Sequence, residues 1–239
     1  MTSTNAPLVL IAGGSSASGT ATATALVQAG FRVLTVGSDA VRIGAAAALT
    51  GGAVPLACDL ADPGAVASLA AQVHAEHGPI DGLIHLVGGW RGGKDLHAQS
   101  DADWNFLHRS VLTTLRNTTK AFYEDIAASA NGRVAIVSST AVTAPTLGNA
   151  NYAAVKAAAE TWMGALAQGL GATDSATDVP RQGAAVVLVV KALVDDAMRA
   201  AAPQRTFPGF TDVATLGDTV VRLFSTPASG LNGSRLILS

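Results

Sequence analysis

A serine, a tyrosine and a lysine are spaced so that they can act together on one substrate. Tyr152 and Lys156 are four residues apart in the strongly helical stretch NYAAVKAAAETWMGALAQ, so both side chains share one helix face. Ser139 precedes the tyrosine by 13 residues and follows a β-rich run. A tyrosine can act as a general acid or base if its pKa falls from about 10 toward neutrality, and a nearby ammonium group favours that fall. The alternative for Tyr152 is a half-buried aromatic side chain packed on its helix.

A turn of small residues forms a second candidate site. The sequence from Gly13 to Gly19, GGSSASG, follows the first apolar run and opens an Ala/Thr-rich helical stretch. Small residues in such a strand-turn-helix unit let the backbone approach a pyrophosphate, and the helix N-terminus binds it. Tight turns also use glycine without any ligand. The position of the turn in the first strand-helix unit favours dinucleotide binding. The expected contacts are Gly13, Ser15, Ser16, Ser18 and Gly19.

Short apolar runs alternate with helical stretches along the whole chain. Most runs are apolar on both faces, as in strands of a parallel sheet covered by helices. The predicted strands are Leu8–Ala12, Arg32–Val36, Ala53–Ala57, Gly82–Val87, Arg133–Ser138, Ala184–Val190 and Ser234–Leu238. This pattern predicts an α/β fold, a doubly wound parallel sheet of about seven strands in a three-layer sandwich. No linker divides residues 1–239, so we expect a single domain, with an exposed loop over residues 172–182.

Composition and charge exclude several function classes. Of 239 residues, 49% are hydrophobic and 13% are charged, against roughly 25% charged in an average soluble chain, which excludes disorder and coiled coil. The net charge is −2 and no Lys/Arg run occurs, so we expect a small-molecule partner and neither nucleic acid nor a membrane. The single cysteine and the absence of a signal-like N-terminus predict a cytoplasmic protein. The spacing of the five histidines suggests no metal site.

These features resemble the short-chain dehydrogenase/reductase family over the whole chain. The family pattern of a glycine-rich turn, an acidic residue after the third strand, a serine after the fifth and YxxxK is matched by Gly13, Gly19, Asp59, Ser139, Tyr152 and Lys156. The resemblance implies a Rossmann fold and an NAD(P)-dependent oxidoreductase that transfers hydride to a carbonyl or quinonoid substrate. It implies that Tyr152 is the acid/base, that Lys156 favours the phenolate and holds the nicotinamide ribose, and that Ser139 positions the substrate.

The end of the second predicted strand bears on the choice of cofactor. An NAD site usually has an acidic residue there, whereas this chain has Gly37 and Ser38, followed by Asp39 and Arg42. Ser38 and Arg42 can hold a 2′-phosphate, which favours NADP(H) over NAD(H). The alternative is a helix N-cap at Ser38 or Asp39 and a solvated arginine.

Other expected dinucleotide contacts follow the third and fourth strands. Asp59 is placed to meet the adenine edge, or alternatively to cap the turn that follows it. Leu60, Val87 and Gly88 complete the expected cofactor contacts. For His85, at the end of the fourth strand, a contact on the nicotinamide side and a hydrogen bond to a backbone carbonyl are both open, and we favour the carbonyl.

Several positions depart from the family pattern. Ala17 replaces the middle glycine of the turn, and Val111 stands where many relatives have a proton-relaying asparagine. Past the sixth strand, Lys191-Ala192 and Asp196 replace the usual Pro-Gly and threonine at the nicotinamide pocket. A non-catalytic, dinucleotide-binding relative is therefore the competing hypothesis.

One stretch that departs from the general pattern is similar to a particular branch of the family. Gly88–Gly93, GGWRGG, resembles the GGWxGG stretch of dihydropteridine reductases, a branch of the same family that reduces a planar quinonoid pterin. Trp90 would then cover or stack on the substrate ring; the alternative is a lid tryptophan that packs on the protein itself. That branch uses NADH, with an acidic residue where this chain has Gly37.

The helix that carries Tyr152 also predicts assembly. From Tyr152 to Gly169, apolar or small residues surround nearly its whole circumference, so we expect its outer face to bury against the same helix of another subunit. The family pairs these helices into dimers and tetramers, which implies a homo-oligomer. The fourth helix is expected to add a patch of Val111, Leu112, Leu115 and Phe122. The alternative is an Ala-rich helix that stays exposed.

Overall fold

A parallel sheet is the centre of the structure, a computed structural model that describes residues 6–174 and 179–238. Its strands within those ranges are β1 Leu8–Ala12, β2 Arg32–Gly37, β3 Val54–Ala57, β4 Gly82–His85, β5 Arg133–Ser139, β6 Ala184–Val190 and β7 Arg235–Ile237. They lie in the order β3-β2-β1-β4-β5-β6-β7, and every neighbouring pair is parallel. The predicted doubly wound, seven-stranded sheet is confirmed.

Helices cover both faces of the sheet. They are α1 Ala17–Gln28, α2 Ala40–Ala48, α3 Pro63–Glu76, α4 Asp101–Leu107, α5 Thr114–Ala128, α6 Ala150–Leu170, α7 Asp196–Ala201 and α8 Val213–Ser225. A π-helical turn, His108–Thr113, joins α4 to α5. Apolar side chains of α3, α5 and α6 pack on one face of the sheet, and those of α1 and α8 pack on the other. These are the three layers predicted.

Strand β1 shows why the apolar runs do not alternate with polar residues. Leu8, Leu10 and Ala12 belong to the apolar cluster on one face, and Val9 and Ile11 belong to the cluster on the other. All five are at most 2% exposed. A strand buried on both faces needs apolar residues at every position.

The prediction of a second apolar patch for subunit contact is wrong. Its four residues lie on the π-helical turn and on α5. Val111, Leu115 and Phe122 are at most 3% exposed and belong to the core of this chain, and Leu112 is partly buried against it. An apolar stripe along a helix shows that one face is buried but not whether the covering surface is the sheet or another subunit. Here the covering surface is the chain's own sheet.

Two short strand pairs lie outside the main sheet. Leu193–Val194 pairs in parallel with Thr211–Asp212. Thr173–Asp174 pairs antiparallel with Val179–Pro180, so the ends of the loop predicted over residues 172–182 are paired and residues 175–178 lie outside the described residues. Within the ranges described, no helix has both the length and the apolar character that a bilayer span requires.

Candidate active site

A groove of three adjoining cavities runs along the carboxyl ends of the strands, where open α/β sheets bind ligands. We call them the turn cavity (about 370 Å³), the central cavity (about 410 Å³) and the serine cavity (about 250 Å³). The turn and central cavities share Ser16 and residues 86–88. The central and serine cavities share Trp90, Tyr152 and Lys191. The shared walls make one elongated site.

The glycine-rich turn is packed so tightly against its own chain that two of its positions require glycine. Gly13 has φ +88°, and a Cβ on it would lie 2.9 Å from the backbone nitrogen of Val87. A Cβ on Gly19 would lie 2.5 Å from the carbonyl oxygen of Gly13. Ser16 caps α1, since its Oγ accepts from the Gly19 N–H at 3.0 Å and donates to the Gly13 carbonyl at 2.9 Å. Ser15, Ser16 and Gly13 line the turn cavity, and Ser16 and Ser18 line the central cavity.

The residues after β2 also line the turn cavity. Ser38 and Arg42 lie on its wall beside Gly37. Asp39 is the N-cap of α2, because its Oδ1 accepts from the Arg42 N–H at 2.9 Å. The N-cap predicted as an alternative therefore belongs to Asp39, and Ser38 keeps its place on the cavity wall. The guanidinium of Arg42 is 68% exposed, with Nε 3.7 Å from Asp39 Oδ2.

Asp59 lines the same cavity and is bound to a residue that the sequence did not point out. Its Oδ1 accepts from the Ala61 N–H at 3.0 Å, and its Oδ2 accepts from Arg109 Nη2 at 2.7 Å. The bond to the Ala61 N–H caps the turn after β3, as the alternative for Asp59 predicted, and Asp62 caps α3. Arg109 lies on the π-helical turn and reaches Asp59 across the cavity, which is also lined by Leu60, Val87 and Gly88.

Ser139, Tyr152 and Lys156 meet at the junction of the central and serine cavities. Ser139 ends β5, and its Oγ accepts from the Ala141 N–H at 3.1 Å. Ser139 and Tyr152 line the serine cavity, and Tyr152 and Lys156 line the central cavity. The ammonium of Lys156 is 5.8 Å from the centre of the Tyr152 ring and donates to the Val137 carbonyl at 2.7 Å. The structure thus brings the predicted residues together.

Burial dominates the protonation of the pair on α6. It lowers the pKa of Lys156 to about 8, against an opposing effect of Glu160, so the ammonium form still prevails at neutral pH. It raises the pKa of Tyr152, against an opposing effect of the Ser139 hydroxyl. This direction is opposite to the fall that was expected from Lys156. The phenol therefore carries its proton at neutral pH and is able to donate it.

His85 has a hydroxyl partner in addition to its own backbone carbonyl, the kind of partner that we favoured. It is 3% exposed, and its Nε2 lies 2.9 Å from Thr114 Oγ1. Because the Thr114 hydroxyl donates to the Ser110 carbonyl at 2.7 Å, it accepts from the histidine N–H. Burial and the charge of Lys156 lower the pKa of His85 to about 3, so the ring is neutral.

Behind Ser139, an ion pair joins β7 to α6. Arg235 Nε donates to Glu160 Oε2 at 3.0 Å, and Arg235 Nη2 donates to the Ser139 carbonyl at 3.2 Å. The Ser138 hydroxyl donates to Glu160 Oε1 at 2.5 Å. The backbone of the candidate catalytic serine is therefore fixed by residues that the sequence pattern did not identify.

The residues that depart from the family pattern have different places in the site. Lys191 and Ala192 line the central cavity, and Trp90, 63% exposed, lines the central and serine cavities. The Trp90 loop is attached to the segment before α6, since the Gly93 N–H donates to the Gly148 carbonyl at 2.8 Å. Asp196, on α7, lies 3.5 Å from Arg199. Among the residues described, no three His, Cys, Asp or Glu side chains are grouped to hold a metal ion.

Comparisons with known proteins identify the family of this chain. The family model for short chain dehydrogenase matches residues 7–202. A short chain dehydrogenase of Pseudocercospora fijiensis is 31% identical over 169 residues, which are 69% of this chain and 55% of that protein. The 3-oxoacyl-[acyl-carrier-protein] reductase FabG of Salmonella typhimurium is 27% identical over 233 residues, 96% of this chain and 94% of FabG.

Solved structures share the fold. The NADPH-bound short chain oxidoreductase of Pseudomonas aeruginosa with an atypical catalytic center superposes with a TM-score of 0.81 at 18% identity, over 98% of this chain and 95% of that one. At that identity the likeness shows the fold alone. The family model covers most of the chain and includes the turn, Ser139, Tyr152 and Lys156. The chain therefore belongs to the short-chain dehydrogenase family.

Proposed function

We propose that the protein is an NAD(P)H-dependent reductase that transfers hydride to a carbonyl or quinonoid substrate. The observation that carries this proposal is the meeting of Ser139, Tyr152 and Lys156 at the junction of two cavities. Belonging to an oxidoreductase family supports it, and so do the NADPH-bound structure with the same fold and the FabG relative.

We propose that the groove binds a dinucleotide. The packing of Gly13 and Gly19 against the chain's own backbone fixes the turn at the N-terminus of α1, and such a helix N-terminus binds a pyrophosphate. Ser15, Ser16 and Ser18 would hold the pyrophosphate, and Asp59, Leu60, Val87 and Gly88 the adenosine half. Lys156 would hold the nicotinamide ribose. The bound dinucleotide supplies the hydride.

The side chains of the site supply the proton that the reduction requires. Reduction leaves an oxyanion or an electron-rich nitrogen that needs a proton, and Tyr152, protonated at neutral pH, donates it. The positive charge of Lys156 stabilises the phenolate that this donation leaves. Ser139 Oγ accepts from the Ala141 N–H, and Arg235 binds the Ser139 carbonyl, so that the hydroxyl is held in place to orient the reacting atom.

A non-catalytic dinucleotide-binding protein is the second candidate. Val111, Lys191 and Asp196 favour it, because they stand where the family's proton relay and nicotinamide contacts usually are. Both candidates bind NAD(P)H, but only the enzyme oxidises it. A screen of carbonyls, quinones and quinonoid dihydropterin with NADPH and NADH in parallel separates them. Substrate-dependent loss of the reduced dinucleotide supports the enzyme, whereas tight binding without oxidation by any compound supports the rival.

We propose NADP(H) as the preferred cofactor, because Ser38 and the exposed guanidinium of Arg42 lie on the turn-cavity wall. The double variant Ser38→Ala/Arg42→Ala is expected to weaken NADPH binding by about 10-fold and NADH binding little, since only NADPH has a 2′-phosphate for charge-assisted hydrogen bonds. Calorimetric titration of both dinucleotides measures this. Equal weakening of the two, or a wild-type preference for NADH, would refute the assignment.

Trp90 is proposed as a substrate contact. Its ring is largely exposed and lines both the central and the serine cavity, next to Tyr152. An exposed indole at that place can stack on a planar ring, as a quinone or a dihydropterin-like compound would provide. The packing of Gly92 against the indole supports a defined position for Trp90, since a Cβ at Gly92 would lie 2.6 Å from it.

We propose that the protein is a homo-oligomer, a dimer or tetramer, paired through α6. The outward-facing residues of this helix are small or uncharged: Ala154, Ala158, Thr161, Gly164, Ala165 and Gln168. A self-complementary contact between two such faces allows close approach. Light scattering at micromolar concentration is expected to give a mass of two or four chains. A mass near the 23.9 kDa of one chain would end this proposal.

A cytoplasmic location is part of the proposal. The one cysteine of the chain, Cys58, is buried and can form no disulfide within the chain. A protein without disulfides suits a reducing compartment.

A further inference from the structure

Lys191 is a positive charge on the wall of the candidate substrate site. It follows β6 directly and lines both the central cavity and the serine cavity, which also contains Ser139 and Tyr152. Its Nζ donates to the Pro208 carbonyl at 3.0 Å, which holds the side chain toward the loop between α7 and α8. Lys191 is exposed, and this hydrogen bond gives its ammonium group a defined position at the cavity wall.

The surroundings leave this charge without an acidic partner. The serine cavity is lined by no carboxylate, and within the described residues Lys191 has no carboxylate oxygen within 4.0 Å. The acidic side chains of the neighbouring elements are engaged elsewhere. Asp212 and Asp196 pair with Arg199, and Asp195 caps α7.

The Phe210 ring has two cations near it. Lys191 Nζ is 5.9 Å from the centre of this ring, and the guanidinium carbon of Arg205 is 6.0 Å from the same centre. Only Lys191 can contact a ligand in the groove, because Arg205 lines none of the three cavities. An ammonium group on the wall of a cavity that no carboxylate lines favours an anion.

We propose that Lys191 binds an anionic group of the substrate, so that the substrate class is a carbonyl or quinonoid compound carrying a carboxylate or a similar anion. This inference rests on the proposed reductase function and specifies its substrate. The phosphates of the dinucleotide are another source of negative charge. Lys191 also lines the central cavity, together with Ser16 and Ser18 of the glycine-rich turn. We assign it to the substrate because it shares the serine cavity with Ser139 and Tyr152, and no residue of the turn lines that cavity.

The test compares two probes that share the 4-acetylphenyl ketone, the anionic 4-acetylbenzoate and its neutral methyl ester, binding to the NADPH-loaded protein. Calorimetry measures their affinity, and dinucleotide oxidation measures turnover. We expect the carboxylate to bind about 10-fold more tightly than the ester, as a charge-assisted hydrogen bond provides. Lys191→Met should remove this preference, and Lys191→Arg should keep most of it. Lys120→Met, on the exposed side of α5 and outside the groove, is the matched control and should change nothing.

The possible outcomes distinguish the anion site from the reductase function on which it rests. Equal affinity of the wild type for the two probes, undetectable binding of both included, overturns the anion site. A carboxylate preference that persists in Lys191→Met overturns it as well. If Lys191→Met lowers only the affinity for NADPH, Lys191 belongs to the dinucleotide site and the proposal is also overturned. A carboxylate preference that depends on Lys191, in a protein that oxidises no NADPH, would keep the anion site and reject the reductase.

Discussion

Replacing Tyr152 by phenylalanine is expected to lower turnover by roughly 100-fold or more and to leave dinucleotide affinity unchanged. The substitution removes one oxygen atom, and with it the proton that reduction requires. Lys156 keeps its hydrogen bond to the Val137 carbonyl, so the groove should retain its shape. Turnover is measured with the best substrate of the screen, and affinity by calorimetric titration of NADPH.

The chain supplies its own control for this experiment. Tyr123, the second of its two tyrosines, is half-buried on α5, and its hydroxyl accepts from Arg181 away from the groove. Tyr123→Phe makes the same chemical change and should leave turnover close to that of the wild type. Unchanged turnover in Tyr152→Phe would remove Tyr152 from the mechanism.

Replacing Gly19 by alanine is expected to disrupt the dinucleotide end of the groove. The new Cβ would lie 2.5 Å from the Gly13 carbonyl oxygen and 2.7 Å from Gly14 Cα. Both are backbone atoms, so relief requires a shift of the turn itself. We expect a loss of about 1–3 kcal/mol in the free energy of unfolding, as overpacking costs. Because the turn that contacts the pyrophosphate moves, NADPH affinity should fall by about 10-fold or more.

Gly44→Ala is the matched control for the turn variant. Gly44 lies within α2, and a Cβ there meets nothing within 4 Å. Alanine should therefore stabilise the helix by about 0.5–1 kcal/mol and leave NADPH affinity unchanged. Urea unfolding and calorimetry measure both variants. Wild-type NADPH affinity in Gly19→Ala would contradict the placement of the pyrophosphate at this turn.

The sheet could be predicted from sequence because its strands are buried on both faces. Runs such as Leu8–Ala12 and Ala184–Val190 are apolar throughout, and both have the predicted boundaries. The start of α3 also depends on adjacent residues, because Asp62 caps the helix and Pro63 is its first residue. Each of these features depends on a few consecutive residues, which a sequence shows directly.

Contacts between distant segments could not be predicted in this way. Arg109 binds Asp59 from 50 positions away, and Arg235 reaches the Ser139 carbonyl from 96 positions away. Neither arginine lies in a motif. The Thr114 hydroxyl that binds His85 is likewise brought there by the packing of α5 on β4. The motif residues themselves met as expected, because they follow strand ends that share one edge of the sheet.

The shift in the pKa of Tyr152 also depends on contacts between distant segments and not on local spacing alone. Spacing on one helix face showed that Lys156 lies near Tyr152, which by itself lowers the pKa of a phenol. It did not show how deeply α6 buries both groups, and burial is the larger effect on each. Burial is a property of the packed fold, so this part of the site had to come from the structure.

Hydride transfer itself provides the most direct test of the proposed function. The protein is mixed with NADPH that carries deuterium at the transferable position of the nicotinamide and with the best substrate of the screen, and the product is analysed by mass spectrometry. With a ketone or aldehyde, the account predicts one deuterium on the reduced carbon of the product, formed by the wild type and largely lost in Tyr152→Phe. With a quinonoid substrate the new N–D or O–D bond exchanges with water, so the loss of deuterium from the dinucleotide is measured instead. NADPH that binds in the groove and gives neither deuterium on a product carbon nor substrate-dependent loss of deuterium from the dinucleotide would contradict the account.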